Sequence, residues 1–343
     1  MVAVSADRTA TFHALMSNLP AVLAPMEDVS DAVFRRICRS YGAHLCVTEF
    51  VNVEGLLRGC KIAKRKLALD ADDQPTAVQI YGADADRLAE AAEVAGDTDP
   101  VFLDINCGCW VPKVAGRGAG AGWLKQPDAM VAMASMVVAR VHVPVTVKTR
   151  IGWDAGAEMP IVDIAKRLQD VGVAAIFLHC RTAKMGHTGK ADWSWAARVR
   201  ERVSIPVIVN GDVDSAEAAR FAIDSTGAAG VMIGRRAIEH PWVFREVRAY
   251  LDHGILLDPP TVFERLDLTR IHFAANVAQR GEPFGVHCTR RHLPGYLHGL
   301  RGGALLRKKL NLTESLAGCI EVLDRAEDLY RRTGVLEISG EAS

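Results

Sequence analysis

The sequence predicts a (β/α)8 TIM barrel followed by a small helical bundle. Short apolar runs alternate with amphipathic stretches from residue 22 to residue 233, polar residues recur where the apolar runs end, and the strand pattern stops after Pro260. Continuous apolar strands joined by helices signal a parallel sheet buried on both faces, and eight such units favour a closed barrel.

The expected strands are Val22–Ala24, His44–Thr48, Ala77–Tyr81, Val101–Ile105, Val145–Thr149, Ala175–Leu178, Val207–Val209 and Gly230–Ile233. Pro25, Pro144 and Pro206 mark strand ends, where a missing N–H is tolerated. Helical patterns fill the gaps at Asp31–Tyr41, Asn52–Arg65, Ala85–Ala95, Pro127–Val141, Ala157–Val171, Trp193–Arg202 and Ser215–Ser225. The barrel domain is expected over 1–252, with Asp252–Pro260 as linker. A helical domain over 261–335 is built from Phe263–Arg280, Arg290–Leu300, Ala304–Asn311 and Ser315–Arg332, with Glu337–Ser343 as a frayed end.

Composition narrows the class. Apolar residues make up 49% of the 343, enough for a large core, and no run approaches the ~18 apolar residues of a membrane span. Met1–Pro20 carries Asp7, Arg8 and His13 and has no signal-peptide centre, so a cytoplasmic, membrane-free protein is expected. Eight scattered cysteines in a chain of this length are not a disulfide framework. Net charge is zero, so any nucleic-acid partner must be met by local charge.

Chemistry-bearing residues gather at the strand ends: Glu49, Gln79, Asn106, Lys148 with Arg150, His179 with Arg181, Asn210 with Asp212, and Arg235. That is the C-terminal rim, where barrel enzymes place their sites. Asn210-Gly211-Asp212 and Gly234-Arg235 follow the last two expected strands and suit a phosphate held by backbone N–H groups and an arginine fork. Gly116-x-Gly118-x-x-Ala121 begins too far from its strand for a dinucleotide fingerprint. Cys107 and Cys109 are too close for the usual zinc spacing, and His179 and Cys180 alternate across a strand, so no metal is expected.

Asn106-Cys107-Gly108-Cys109, followed by Lys113-Val114 and Gly118-Ala119-Gly120, resembles the Asn-x-Gly-Cys-Pro signature of the tRNA-dihydrouridine synthases. The likeness continues in order through Ala24-Pro25-Met26, Asp31, Phe34-Arg35-Arg36, Thr48-Glu49, Val147-Lys148-Thr149-Arg150-Ile151-Gly152-Trp153, His179-Cys180-Arg181-Thr182, Ala191-Asp192-Trp193, Asn210-Gly211-Asp212 and Gly234-Arg235. It reaches His292-Leu293, Tyr296 and Leu310-Asn311, so it spans roughly residues 21 to 320. Trp110 stands where the signature has proline.

The resemblance implies an FMN-dependent reduction of a tRNA uridine, with NADPH or NADH as reductant. It implies Cys109 as proton donor, because Cys109 fills the Gly-Cys position; Cys107 is left with the ordinary role of a free cysteine, a small buried hydrophobe. A thiol with an ordinary pKa near ~8.5 is protonated at neutral pH and suits an acid. Flavin contacts are expected from Pro25, Met26, Glu27, Gln79, Lys148 and His179, with the phosphate at Asn210, Gly211, Asp212, Gly234 and Arg235. Lys148 offers a cation to the reduced ring. Asn106, Arg150 and Arg181 are expected to meet the uracil and nearby RNA.

Residues 283–312 hold Arg290, Arg291, Arg301, Arg307, Lys308 and Lys309 and no acidic residue, with His287, His292 and His298 among them. A second basic cluster comprises Arg58, Lys61, Lys64, Arg65 and Lys66. Either alone is an ordinary solvated face; two beside a base-modifying site point to an RNA backbone. A monomer is expected. The competing readings are a flavin barrel acting on a small free substrate such as dihydroorotate, which leaves the basic helices unexplained, and a tRNA-binding barrel without catalysis.

Overall fold

The computed structural model describes residues 4–155 and 159–336. Ala157, at the start of one expected helix, and Glu337–Ser343 lie outside the described residues. The chain divides into two compact units, Met1–Gly234 with Phe244–Leu256 and Arg235–Val243 with Leu257–Ser343.

The first unit is the expected barrel. Its strands are β1 (Ala21–Leu23), β2 (Leu45–Val47), β3 (Val51–Asn52), β4 (Thr76–Tyr81), β5 (Leu103–Cys107), β6 (Val145–Arg150), β7 (Ala175–His179), β8 (Val207–Asn210) and β9 (Gly230–Ile233). All pairings are parallel, and β1–β9 and β2–β4 contacts close the ring with β3 as a short appendix on β4. All eight expected strands are present. The helix expected over Asn52–Arg65 is instead two, Val53–Leu57 and Lys61–Leu67, broken at Gly59 with φ +73°. The helix expected from Ala157 runs Ile161–Asp170.

Period-two alternation sorts each strand into an inner and an outer face. Val22, Leu45, Val47, Ala77, Phe102, Ala175, Phe177, Ile208 and Met232 share one buried cluster. That cluster also takes Phe12 and Met16 from the helix Ala6–Ser17, which the sequence reading did not anticipate. Phe12 meets Phe102 edge-on, and Phe102 stacks on Phe177. The outer residues Val78, Ile80, Leu103, Ile105, Cys107, Val145 and Val147 pack with Leu88, Met130, Met133 and Val137 of the surrounding helices. Two residues beyond the apolar inner layer, on the same parity, stand Gln79, Asp104, Lys148, His179, Asn210 and Gly234.

The second unit is helical: Arg235–Glu239, Val262–Arg280, Phe284–Thr289, Leu293–Tyr296, Gly303–Leu312 and Leu316–Thr333. Thr261 and Glu264 form a reciprocal capping box at the start of its longest helix. Of the helix expected over Arg290–Leu300 only the short Leu293–Tyr296 forms, with Pro294 in its first turn, and Phe284–Thr289 precedes it. Gly295 packs directly on the Glu239 backbone, where a Cβ would come within 2.4 Å of its carbonyl oxygen. His292 and Tyr296 are buried, and His292 Nδ1 lies 3.0 Å from the Ile238 carbonyl oxygen. His292 is therefore a core residue and leaves the expected basic surface. Among the described residues no helix is long and apolar enough to cross a membrane.

Candidate active site

The loop after β5 carries the two cysteines, and strand parity separates them. Cys107 ends the strand on the outer face, fully buried among helix residues, and burial pushes its thiol far above the ordinary range. Cys109 lies in the loop, partly exposed. Burial also raises its thiol, against the Val111 backbone N–H and the cations Arg150 and Lys148, so it stays protonated at neutral pH.

That loop is held from several directions. Asn106 Oδ1 accepts from the backbone N–H groups of Gly108 (3.0 Å) and Cys109 (2.9 Å). The Cys109 carbonyl accepts from Ala121 N at 2.9 Å. Gly120 permits that approach: its φ is +56°, and a Cβ there would sit 2.7 Å from the same carbonyl oxygen. Arg150 donates from Nε to Gly108 O at 2.8 Å and from Nη1 to Thr182 O and Gly186 O at 2.9 Å. Buried and so engaged, Arg150 ties the Cys109 loop to the loop after β7.

Arg181 is engaged in the same way. It is buried and bonds Thr188 O, Gly189 O and both Asp212 oxygens, the last at 2.6 Å. Asp212 also accepts from Ala191 N at 2.8 Å, so its carboxylate fastens the loop after β7 to the loop after β8. As an anion it would repel a phosphate; only its backbone suits one. Arg181 Nη1 lies 3.4 Å from His179 Nε2, and a pure donor there favours the tautomer with its proton on Nδ1. Burial, with Lys148, Arg150 and Arg181 nearby, keeps His179 neutral by pushing its pKa far below the ordinary value.

Lys148 Nζ donates to Asn210 Oδ1 at 3.0 Å, and Asn210 Nδ2 donates to Met232 O at 2.8 Å. Burial, helped by Arg150 and opposed by Asp104, brings the Lys148 pKa down to about 8. Gln79 is fully buried, and its amide lies between Asp104 and Asn106: Nε2 donates to Asp104 Oδ2 at 2.5 Å and Oε1 accepts from Asn106 Nδ2 at 2.8 Å. Gly211 (φ +104°) approaches His179 so closely that a Cβ would meet its ring at 2.8 Å. Gly234 lies over Ala24 and Met26, with Met26 Sδ 3.8 Å from where a Cβ would be. Arg235 opens the helix that leaves β9.

Glu27 and Glu49 both pair with Lys66, and Asp28 N donates to Glu49 Oε1 at 2.8 Å. Lys66 is thus committed to this rim cluster, which corrects its inclusion in the second basic patch; Arg58, Lys61, Lys64 and Arg65 remain exposed. The cluster is the one acidic trio among the described residues with metal-like spacing, and the Lys66 ammonium sits against two of its members.

In the helical unit, Arg290 Nη2 donates to Thr313 O and Glu314 Oε1 at 2.9 Å, and His287 lies 2.6 Å from the same carboxylate. Glu314 stands just beyond the acid-free stretch and pairs with Arg290. Arg291 and Lys308 are exposed, and Arg307 and Lys309 partly so.

Asp104, inside the expected strand Val101–Ile105 and given no role by the sequence, is buried within the site. A carboxylate alternating with Phe102 and Asn106 on an inner strand face was the available signal.

Comparison with known proteins agrees with this geometry. The "Dihydrouridine synthase (Dus)" family model matches residues 22–331. The "Probable tRNA-dihydrouridine synthase 1" of Synechocystis sp. is 37% identical over 304 residues, covering 88% of this chain and 85% of its own. The "tRNA-dihydrouridine synthase B" of Vibrio cholerae is 34% identical over 312 residues, covering 91% and 96% respectively. That of Pseudomonas aeruginosa is 37% identical over 302 residues, covering 88% and 91%. With its motifs, its barrel and its full-length relatives in agreement, the chain belongs to the dihydrouridine synthase family.

Proposed function

We propose that this protein reduces a uridine of tRNA to 5,6-dihydrouridine with FMN as its flavin, NADPH or NADH as reductant and Cys109 as proton donor. The observation that carries the reading is the placement of Cys109: a protonated thiol on a braced rim loop, with Lys148 and Arg150 nearby. The barrel, residues 1–252, holds the flavin and the chemistry; the helical domain, residues 261–335, binds tRNA; the enzyme acts as a cytoplasmic monomer.

The residues fit the flavin. Gly211, at φ +104°, brings its backbone so close to His179 that a Cβ would collide with the ring, and Gly234 beside Ala24 and Met26 presents bare backbone at the end of β9. Lys148 and neutral His179 supply a cation and a hydrogen-bonding ring, and Arg235 follows the last strand as a phosphate fork. Pro25, Met26 and Glu27 follow β1, and Asn210 with the Asp212 backbone follows β8, completing the set. Bound and reduced, the flavin supplies a hydride to C6 of uracil. Cys109 delivers the proton to C5, so the C5=C6 bond is reduced, and the thiolate left behind regains a proton from water. The base must leave its stack to reach the rim.

Two tests belong here. The purified protein should carry non-covalent FMN, and Arg235→Ala with Lys148→Ala should weaken its retention. Because Lys148 is a base with a lowered pKa, its charge is present below about 8 and lost above it. FMN affinity should hold through neutral pH and fall from about pH 8 upward, and the fall should vanish in Lys148→Met. A colourless protein that fails to take up added FMN overturns the reading.

Reversing Arg307, Lys308 and Lys309 to glutamate should weaken tRNA binding and flatten its logarithmic salt slope by roughly 2–3, since each lost phosphate contact removes about 0.7–0.9. FMN content should stay constant. An unchanged slope would return these residues to an ordinary solvated face.

A further inference from the structure

We propose that Asp104 is a positioning residue: acting through Gln79, it fixes the orientation of the Asn106 amide that holds the Cys109 loop. The inference rests on the reading of Cys109 as proton donor, and it concerns how the fold sets that donor in place.

Every link is a direct hydrogen bond. Thr146 Oγ1 donates to Asp104 Oδ1 at 2.5 Å, and Gln79 Nε2 donates to Asp104 Oδ2 at 2.5 Å. Asn106 Nδ2 donates to Gln79 Oε1 at 2.8 Å. Asn106 Oδ1 then accepts from Gly108 N and Cys109 N at 3.0 and 2.9 Å. The chain has a direction. An ionised carboxylate only accepts and a backbone N–H only donates, so both ends are fixed, and the two amides between them can be satisfied in one orientation alone. Turning either amide would set donor against donor inside a buried network, where unmet groups are costly. Asp104 and Gln79 are buried and Asn106 nearly so; water cannot substitute easily. Burial lifts the Asp104 pKa to about 6, but its bonds to Thr146 and Gln79 and the nearby Lys148 oppose this, so the acceptor form prevails at neutral pH.

The direction can be broken and restored. In Asp104→Asn the amide at position 104 keeps accepting from Thr146 and turns its NH2 toward Gln79, whose amide must then turn and set its own NH2 against that of Asn106. When Gln79→Glu is combined with Asp104→Asn, the amide introduced at position 104 donates to the carboxylate at position 79 and keeps accepting from Thr146. Asn106 again donates to position 79. Asn106 is thus returned to its native orientation with the charge moved one place along.

Two readouts follow, each with a fold or affinity control. The first is iodoacetamide alkylation of Cys109 in the holoenzyme, resolved by peptide mass spectrometry with exposed Cys60 as internal reference. The second is single-turnover oxidation of the reduced flavin by tRNA. Asp104→Asn should raise Cys109 alkylation about tenfold as the loop loosens, and slow turnover at least about tenfold, with tRNA affinity unchanged. The double variant should return alkylation to within about threefold of the parent. If the single variant does not fold but the double variant folds and is alkylated at the parental rate, the relay is supported. A double variant as readily alkylated as the single one or unable to fold, or a single variant silent in both readouts, overturns it. Alkylation needs no turnover, so the relay is tested even if Cys109 proves not to be the acid.

Discussion

Replacing Cys109 with alanine slows oxidation of the reduced flavin by tRNA roughly 10²–10⁴-fold, the ordinary worth of general acid catalysis, while folding and flavin reduction persist. On the proposed reading, hydride arrival at C6 would leave charge on the uracil that a proton at C5 must quench, and the protonated Cys109 thiol would supply it without waiting for water. The raised thiol pKa gives the pH behaviour of this step its sign: the acid is present through neutral pH and is lost as pH rises through it, so loss of the acid lowers turnover on the alkaline side. Cys107→Ala should be nearly silent in turnover, since Cys107 points to the helices from the outer face of β5. Its truncation removes one buried sulfur and appears as a modest stability loss. Rapid-mixing kinetics on the two variants decide the matter. A large defect in Cys107→Ala with none in Cys109→Ala reverses the assignment, and tRNA reduction unaffected by either removes the thiol from the chemistry.

The barrel was legible because its signal is local. Each apolar run carries its own period, and Pro25, Pro144 and Pro206 punctuate the ends, so the eight ring strands needed no tertiary knowledge. The motif residues were legible as residues but less so as roles. Arg150, Arg181, Arg290 and Lys66 all look like free cations in the sequence. Their partners lie as far as 42 positions away, and several are backbone carbonyls, which leave no mark on a sequence pattern. The short helix Ala6–Ser17 escaped for a related reason: two buried residues, Phe12 and Met16, are too few to show a period. Asp104 was hidden by its surroundings, since an acid inside an apolar run reads as an interruption until strand parity turns it inward.

Asp73→Ala destabilises the fold by about 3–5 kcal/mol, because it leaves the guanidinium of Arg35 buried without its counter-ion. Both side chains are essentially inaccessible, at 3% and 0% exposure, so solvent does not screen the pair. Arg35 Nε lies 3.1 and 3.0 Å from the two Asp73 oxygens, Nη2 bonds Asp73 Oδ2, and Nη1 donates to Ser30 O at 2.8 Å. The pair joins the helix Ala32–Ser40 to the segment leading into β4, the strand whose register delivers Gln79 to the site. Arg39 reinforces the junction by donating to the Asp73 and Pro75 carbonyls. The cost belongs to the orphaned charge more than to the pair, and a second variant separates the two. Arg35→Met combined with Asp73→Leu removes both charges and fills the space with apolar atoms, so it should recover much of what the single change loses. Denaturant unfolding followed by tryptophan fluorescence reads both variants. A loss under about 1 kcal/mol in Asp73→Ala, or a double variant no better than the single, would mean that the junction is held by Arg39 and backbone contacts instead.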